Sequence, residues 1–422
     1  MASLSVWYQR FCWVYVVYAF GISVYFLFFA SFTPPGKYDG TEADLLALLA
    51  PGEWQAHEQL AKVRYLVYFL VTPLKWLIYG MFLWTTFGMA MQEALFRGVR
   101  RQLRLPAYLA FIYVVVDVAM LPFSYVQYRL AVREGLSVQS IGDWLQDWLV
   151  SSLVQIVLIG FIAILVYSFM KKFRHWWLWM WLLAAPLACM YVILQPIVIE
   201  PLFYETKPLE NTETEQDILA FATSQDIGVN HLYEVNRSST STALNAYVYG
   251  IGHTARIVMW DTTLLALAPD EILYITAHEF GHFVEKHFYL GLAGSILLML
   301  PMFYCIDQLL THFVVRSSNA QPLKLPQTKS DARTLPFVLL VLSVLLFLSS
   351  PIQNGVSRVM EERADEYALT HAPDQQAGIR AYQAIGLRNY SVAYPPNWVQ
   401  WWLSSHPPIS DRIYQIVQSD ET

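Results

Sequence analysis

The stretch LVSSLVQIVLIGFIAILVYSFM, residues 149–170, contains no charged side chain over 22 positions. A helix that crosses a bilayer needs about 20 mostly apolar residues, so this segment is long enough to span a membrane. Six further apolar runs of similar length lie on either side of it: 11–32, 65–91, 106–128, 176–203, 288–313 and 334–355. The membrane segment around the quoted run is taken as 147–170. We therefore predict a mainly α-helical, polytopic membrane protein with seven transmembrane helices.

The composition of the whole chain agrees with this prediction. Of its 422 residues, 56% are hydrophobic and only 14% are charged, against about 25% charged residues in ordinary soluble proteins. The net charge of −6 leaves no basic surface for nucleic acid, so we expect the lipid bilayer, and no nucleic acid, as a partner. The three cysteines all lie in apolar runs, which argues against a disulfide framework.

Three charged residues lie well inside the apolar runs, away from their ends: Lys75, Asp117 and Asp307. Charges that face lipid are costly, so these side chains are expected to face protein or water. Two interpretations stay open. Lys75 and Asp117 could form a buried structural pair, or they could line a water-filled chamber between the helices.

Two stretches, 204–287 and 356–422, are polar enough to fold outside the bilayer. They divide the chain into five membrane helices (1–203), a first polar half (204–287), two more membrane helices (288–355) and a second polar half (356–422). Two crossings return a chain to the same side, so both halves can form one domain. A helix at Thr212–Gln225 and short strands at His231–Val235, Asn245–Tyr249 and Arg256–Trp260 are predicted there.

The sharpest chemical signal is His278-Glu279-Phe280-Gly281-His282. On a helix, residues four apart share a face, so both histidines can present an imidazole to one metal ion. Glu279 lies beside the first histidine, where it can take a proton from a metal-bound water. This pattern predicts a zinc-dependent hydrolase, with one Zn²⁺ per chain.

A third ligand is predicted from the second polar half. Glu361 and Asp365 are also four residues apart on a predicted helix. Glu361 would complete a site of two histidines and one glutamate, which leaves a position for water. Asp365 would accept a hydrogen bond from a ligating imidazole and fix its tautomer. Glu362 is the rival ligand, and its helical phase relative to Asp365 argues against it.

Several blocks together resemble the CAAX prenyl protease 1 family of membrane zinc metalloproteases and, more distantly, the HtpX-type bacterial proteases. The blocks are His278–His282, Ser357–Asp365, Asn245–Tyr247 with Arg256–Val258 and Asp261-Thr262, Pro201–Phe203 with Pro208–Glu210, and Ser405–Pro408 with Arg412. The resemblance implies a hollow bundle of seven helices that carries a gluzincin-type zinc protease domain with a small β-sheet. It also implies that peptide bonds are cleaved within that enclosure.

The resemblance implies further roles, residue by residue. Asn245, Ala246 and Tyr247 would lie on an edge strand that pairs with an extended peptide or protein substrate. His406 and Arg412 would approach the zinc and stabilise the oxyanion. The substrate is expected to be membrane-associated or lipidated. Two alternative functions are a catalytically weak homologue that acts in membrane protein quality control and a transporter-like protein of seven helices.

The short loops predict the orientation in the membrane through their Lys and Arg residues, which favour the cytoplasmic side. The side with the N-terminus and loops 2–3, 4–5 and 6–7 carries 12 of them: Arg10, Arg97, Arg100, Arg101, Arg104, Lys171, Lys172, Arg174, Arg316, Lys324, Lys329 and Arg333. The side with loops 1–2 and 3–4 and the histidine motif carries 5: Lys37, Lys62, Arg64, Arg129 and Arg133. This bias favours a non-cytoplasmic catalytic domain in a multi-pass membrane protein, which would lie in the cell inner membrane of a bacterium.

Overall fold

A computed structural model describes residues 2–209, 213–228, 232–249, 256–318 and 326–420 of the chain. Within these ranges the protein is mainly α-helical, as predicted. The α-helices are α1 Ala2–Val24, α2 Glu53–Trp84, α3 Thr86–Gly98, α4 Arg104–Arg133, α5 Ile141–Lys172, α6 Trp176–Leu194, α7 Glu213–Ser224, α8 Asp261–Ala266, α9 Pro269–Val284, α10 His287–Ser318, α11 Leu335–His371, α12 Gln375–Arg388, α13 Asn397–Leu403 and α14 Ile409–Asp420. The strands are β1 Thr206–Pro208, β2 Leu232–Val235, β3 Ala246–Tyr249 and β4 Arg256–Trp260. Thr212 and His231, the predicted first residues of a helix and a strand, lie outside the described residues.

Six helices in the described ranges are long and apolar enough to cross a membrane. They are Val6–Phe29, Glu53–Trp84, Arg101–Arg133, Ile141–Lys172, His287–Val315 and Ala332–His371. The seventh predicted segment, 176–203, coincides with a shorter apolar helix, Trp176–Val192. The prediction of a polytopic helical membrane protein is confirmed, and the count of seven is approximate.

Several membrane helices differ from their predicted bounds, including α1, which begins at Ala2 rather than near residue 11, and, more markedly, α2 and α11. α2 ends at Trp84 rather than near residue 91, because the extended Thr85 interrupts the helix and its side chain caps the next one through the Gly88 amide. α11 is longer than predicted, since the membrane segment continues without a break through the Glu361 region to His371. The segment that carries Glu361 is therefore an extension of a membrane helix.

The extramembrane part is built on a four-stranded sheet in the order β1-β2-β4-β3. β2 and β4 are parallel, and the two outer strands are antiparallel to their neighbours. α9 begins at Pro269, where the missing amide hydrogen costs nothing, and the Glu271 carboxylate accepts a hydrogen bond from the Ala268 amide at 2.9 Å. One apolar core joins both polar halves of the sequence, with Phe280 and Tyr382 among its fully buried members.

Loops from the membrane half pack on this core. Tyr38 and Leu45, between α1 and α2, are almost completely buried in it, and the Tyr38 hydroxyl donates to Asp411 Oδ1 at 2.5 Å. Ser137, between α4 and α5, forms a β-bridge with Ser241. The loops between α1 and α2 and between α4 and α5, which are loops 1–2 and 3–4 of the membrane segments, therefore lie on the same side as the sheet. Each of these loops and the sheet follows an odd number of membrane crossings, so this arrangement is the one required.

α9 and α11 cross at Gly281. A Cβ atom at this position would lie 2.9 Å from Ala364 Cα and 3.0 Å from Tyr367 Cβ. Only glycine permits such close contact between the two helix backbones. The close crossing brings the histidine motif on α9 next to Glu361 on α11.

Lys75 and Asp117 line one cavity of about 540 Å³ between the membrane helices. They form no ion pair within 4.0 Å in the described part of the chain, and Asp117 instead accepts a hydrogen bond from the Ser152 hydroxyl at 2.6 Å. Of the two interpretations left open by the sequence, the arrangement favours the polar chamber.

Candidate active site

Three predicted metal ligands converge at the α9–α11 crossing. One ligand atom each from His278, His282 and Glu361 can be chosen so that all three lie within 4.8 Å of one another. The two imidazole Nε2 atoms are 3.2 Å apart. Glu361 Oε2 lies 3.4 Å from His278 Nε2, and its Oε1 lies 3.5 Å from His282 Nε2. These atoms can surround a single small cation.

The carboxylate of Glu361 carries the clearest sign that a cation belongs there. Its Oε2 atom is buried and accepts no hydrogen bond from the described residues, and a buried unpaired carboxylate oxygen is costly. Two imidazole nitrogens and one carboxylate form the donor set of catalytic zinc sites. The neighbouring Glu362 is exposed and is not part of the cluster, as its helical phase predicted.

A network of hydrogen bonds orients His278 from behind. Asp365 Oδ1 lies 2.9 Å from His278 Nδ1. Arg412 pairs with both oxygens of Asp365, at 2.6 and 2.8 Å. The Tyr382 hydroxyl donates to Asp365 at 2.7 Å, and burial raises the pKa of this tyrosine well above its usual value. Asp365 therefore receives enough donors to stay ionised and to hold the imidazole with Nε2 toward the cluster.

His287 orients the second histidine, and sequence reasoning left it without a role. Its Nδ1 atom lies 3.0 Å from His282 Nδ1, and its side chain is almost fully buried. A hydrogen bond at Nδ1 leaves the Nε2 atom of His282 to face Glu361. His287 is the first residue of α10, directly after the turn at Lys286, so helical spacing from α9 could not place it.

Glu279 lies beside the cluster and contacts the sheet. Its Oε2 accepts a hydrogen bond from the Val248 amide of β3 at 3.2 Å. Burial raises the pKa of the Glu279 carboxyl, and the neighbouring imidazoles of His278 and His282 oppose this shift. A carboxyl with a raised pKa is better suited than an ordinary one to accept and return a proton near neutral pH.

Asn245, Ala246 and Tyr247 line the same cavity as the cluster, which has a volume of about 970 Å³. β3 pairs only with β4 among the described strands, so its other edge is free to accept a further strand. The backbone of the exposed Asn245 is held in place by Thr263. The Asn245 backbone N–H donates to Thr263 Oγ1, and the Asn245 backbone carbonyl accepts from the same hydroxyl, both at 2.8 Å.

The two C-terminal residues predicted to act in catalysis approach from the segment before and within α14. His406 Nε2 lies 3.3 Å from Glu361 Oε1 and lines the cavity. Arg412 also lines the cavity, and its guanidinium lies 3.2 Å from His278 Nδ1 while it remains paired with Asp365. The structure thus brings every predicted site residue to one cavity or, for Asp365, directly behind it.

Comparisons with known proteins agree with this arrangement. Residues 208–420 match the model of peptidase family M48, and residues 55–205 match that of the CAAX prenyl protease N-terminal region with five membrane helices. The chain is 33% identical over 401 residues to the uncharacterized metalloprotease YhfN of Bacillus subtilis, covering 94% of this chain and 93% of that protein. It is 25% identical to the CAAX prenyl protease 1 of Saccharomyces cerevisiae, over 69% of this chain and 67% of the relative. The crystal structure of Ste24p from S. mikatae has the same fold, with a TM-score of 0.74 at 19% identity and coverage of 98% and 97%.

Proposed function

The chain belongs to peptidase family M48, and on that premise we propose that it is an integral-membrane zinc endopeptidase. The observation that carries the proposal is the cluster of His278, His282 and Glu361 with its unpaired buried carboxylate oxygen, next to the half-buried Glu279. We also propose that residues 204–287 and 356–422 act as one catalytic domain, because they share a core and each supplies part of this cluster.

The donor set fits zinc. His278 and His282 would bind it through Nε2 and Glu361 through its carboxylate, in a site that leaves one position open. Zinc bound there would supply a Lewis acid that polarises the peptide carbonyl and makes water more acidic. Asp365 and His287 would hold the two imidazoles in the tautomer that binding requires, through the contacts at 2.9 and 3.0 Å.

The chain's own residues would then carry the proton transfers and hold the substrate. An extended peptide would pair with the free edge of β3 at Asn245–Tyr247, which aligns the bond to be cleaved with Glu279. Glu279 would accept a proton from the attacking water and return it to the leaving amine. His406 and Arg412 would stabilise the negative oxygen that forms on the attacked carbonyl.

We propose that the substrate is a peptide or protein that is membrane-associated or lipidated. The position of the cavity supports this class, because Ala61, Tyr65 and Tyr68 of the membrane helix α2 line it together with the catalytic residues. A substrate that lies in or on the bilayer reaches such a cavity without leaving the membrane. The Saccharomyces cerevisiae relative is named CAAX prenyl protease 1, and this name is consistent with a lipidated substrate class.

We further propose that the catalytic domain faces away from the cytoplasm. Loops 1–2 and 3–4 pack on the sheet and its core, and these loops belong to the side with 5 basic residues rather than 12. The positive-inside rule assigns the richer side to the cytoplasm.

The test is cleavage of a generic fluorogenic peptide by the purified protein. We expect hydrolysis that a chelator abolishes and added zinc restores. Glu279→Gln should lower the rate by about 10²–10⁴-fold, as expected for the loss of a general base, while its zinc content stays at one per chain. Glu285→Gln is the matched control, because Glu285 is exposed, pairs with Arg363 at 3.4 Å and does not line the active-site cavity.

Two outcomes would contradict the proposal. Near wild-type cleavage by Glu279→Gln would remove this residue from the mechanism. A wild-type protein that binds zinc and cleaves no peptide would favour a homologue that acts in quality control without catalysis.

A further inference from the structure

One face of α2 continues from the active-site cavity into the cavity between the membrane helices. Ala61, Arg64, Tyr65 and Tyr68 line the first cavity. Arg64 and Tyr68 also line the second, where they are followed at helical spacing by residues such as Lys75. Residues three and four apart share one side of a helix. Arg64 therefore lies at the junction of the two cavities.

The guanidinium of Arg64 has no carboxylate partner within the described ranges of the chain. It is exposed and takes part in no ion pair or side-chain hydrogen bond there. The other arginine of the active-site cavity, Arg412, is already paired with Asp365 and donates a hydrogen bond to the Tyr382 hydroxyl. The acidic groups of the cavity, Glu279 and Glu361, belong to the catalytic site. Arg64 is thus the free positive charge of the described cavity wall.

The cavity beyond Arg64 carries one charge of each sign, on Lys75 and Asp117. Lys75 lines it without an ion-pair partner in the part of the chain that the structure describes, whereas Asp117 already accepts a hydrogen bond from Ser152. Arg64 and Lys75 are 11 positions apart on α2, which corresponds to about 16 Å along the helix axis. An extended chain of about five residues spans that length. Because Lys75 and Asp117 offset each other, Arg64 at the junction is the group in the described wall that favours an anionic part of the ligand.

We propose that Arg64 binds a carboxylate of the peptide substrate and selects peptides that carry one a few residues from the cleaved bond. The carboxylate belongs to an acidic side chain or to the C-terminus of the peptide. The planar guanidinium matches a carboxylate through two parallel hydrogen bonds, and partial exclusion of water strengthens them. This inference rests on the proposed peptidase function, because it assigns a specificity residue to that site.

The experiment measures kcat/KM for four peptides with the same neutral core. The first is C-terminally amidated and neutral, and the second has a free C-terminus. The third is an amidated series that carries a single Glu at successive positions. The fourth is the same amidated series with Lys in place of Glu. We expect the wild-type protein to prefer a carboxylate peptide by about 10- to 100-fold, the usual effect of a hydrogen bond to a charged group. A preference confined to the Glu peptide identifies a side chain as the ligand, and one confined to the free C-terminus identifies the terminus.

Variants of Arg64 then test the assignment. Arg64→Gln should bring the ratio of carboxylate to neutral peptide close to one, and Arg64→Lys should keep part of it. Arg64→Glu should reverse the preference toward the Lys peptide, which a structural role would not produce. Arg129→Gln is the matched control, because Arg129 is exposed on α4 and lines neither cavity. It should keep the wild-type preference.

Three results would overturn the proposal. A wild-type protein that cleaves all four peptides equally would exclude carboxylate recognition while leaving the peptidase function intact. A parallel loss for every peptide in Arg64→Gln would assign Arg64 to structure or to binding of lipid headgroups. Cleavage of none of the peptides by the wild-type protein would reject the peptidase function and this inference with it.

Discussion

Gly281→Ala tests whether the close crossing of α9 and α11 builds the metal site. The new methyl carbon would lie 2.9 Å from Ala364 Cα and 3.0 Å from Tyr367 Cβ. Non-bonded carbon atoms prefer about 3.5–4.0 Å. The Ala364 contact is with backbone, which no side-chain rotation relieves. The two helices must therefore separate by roughly 0.5–1 Å to accept one methyl group.

This separation acts directly on the ligands, because His278 and His282 lie on α9 and Glu361 lies on α11. Zinc sites tolerate departures of about 0.2 Å from their usual distances. Overpacking of this kind typically costs about 1–3 kcal/mol of folding stability. We expect zinc affinity to fall by about 10–100-fold, the range seen when the surroundings of ligating residues are disturbed.

Competition with a chromogenic chelator measures the zinc affinity, and thermal unfolding with and without zinc measures the stability. Gly294→Ala on α10 is the matched control, because no atom lies within 4 Å of its added Cβ, and it should retain wild-type affinity. Wild-type zinc affinity in Gly281→Ala would refute the argument that the backbone contact sets the distance between the ligands.

Three further predictions follow from the site and the topology. Glu361→Ala should remove most of the zinc measured by mass spectrometry, whereas Glu362→Ala should not; equal losses would show that the phase argument is wrong. His287→Phe should fill a similar volume yet lower zinc affinity by about 10–100-fold, with His287→Asn restoring part of it; unchanged affinity in both would leave His287 as a packing residue only. A reporter that is active only outside the cytoplasm should be active when fused after the last residue and silent when fused near Arg174, and the reverse pattern would place the catalytic domain in the cytoplasm.

The candidate ligand cluster could be predicted from the sequence because the spacing within each of its two helices is local. His278 and His282 are one helical turn apart, and the same rule distinguished Glu361 from Glu362 through their phase relative to Asp365. The structure brings these groups together as that spacing requires. What sequence spacing could not give was the distance between the two helices, which depends on the tertiary contact at Gly281.

Other contributors depend on contacts that no local pattern records. His287 reaches His282 because the chain turns at Lys286, which has a φ of 56°, before α10 begins. Tyr382 reaches Asp365 from a different helix. Arg64 was counted only as a loop charge, since its place between two cavities depends on how α2 packs. The length of α11 was underestimated because the polar residues after the apolar run suggested that the membrane segment ends near residue 355.

Diffraction from crystals of the wild-type protein at the zinc absorption edge shows directly whether His278, His282 and Glu361 bind the metal. We expect one anomalous peak per chain, about 2.0–2.2 Å from His278 Nε2, His282 Nε2 and a carboxylate oxygen of Glu361. A zinc-loaded protein with no peak at this position, or with its zinc bound by other residues, would show that these three residues are not the ligands.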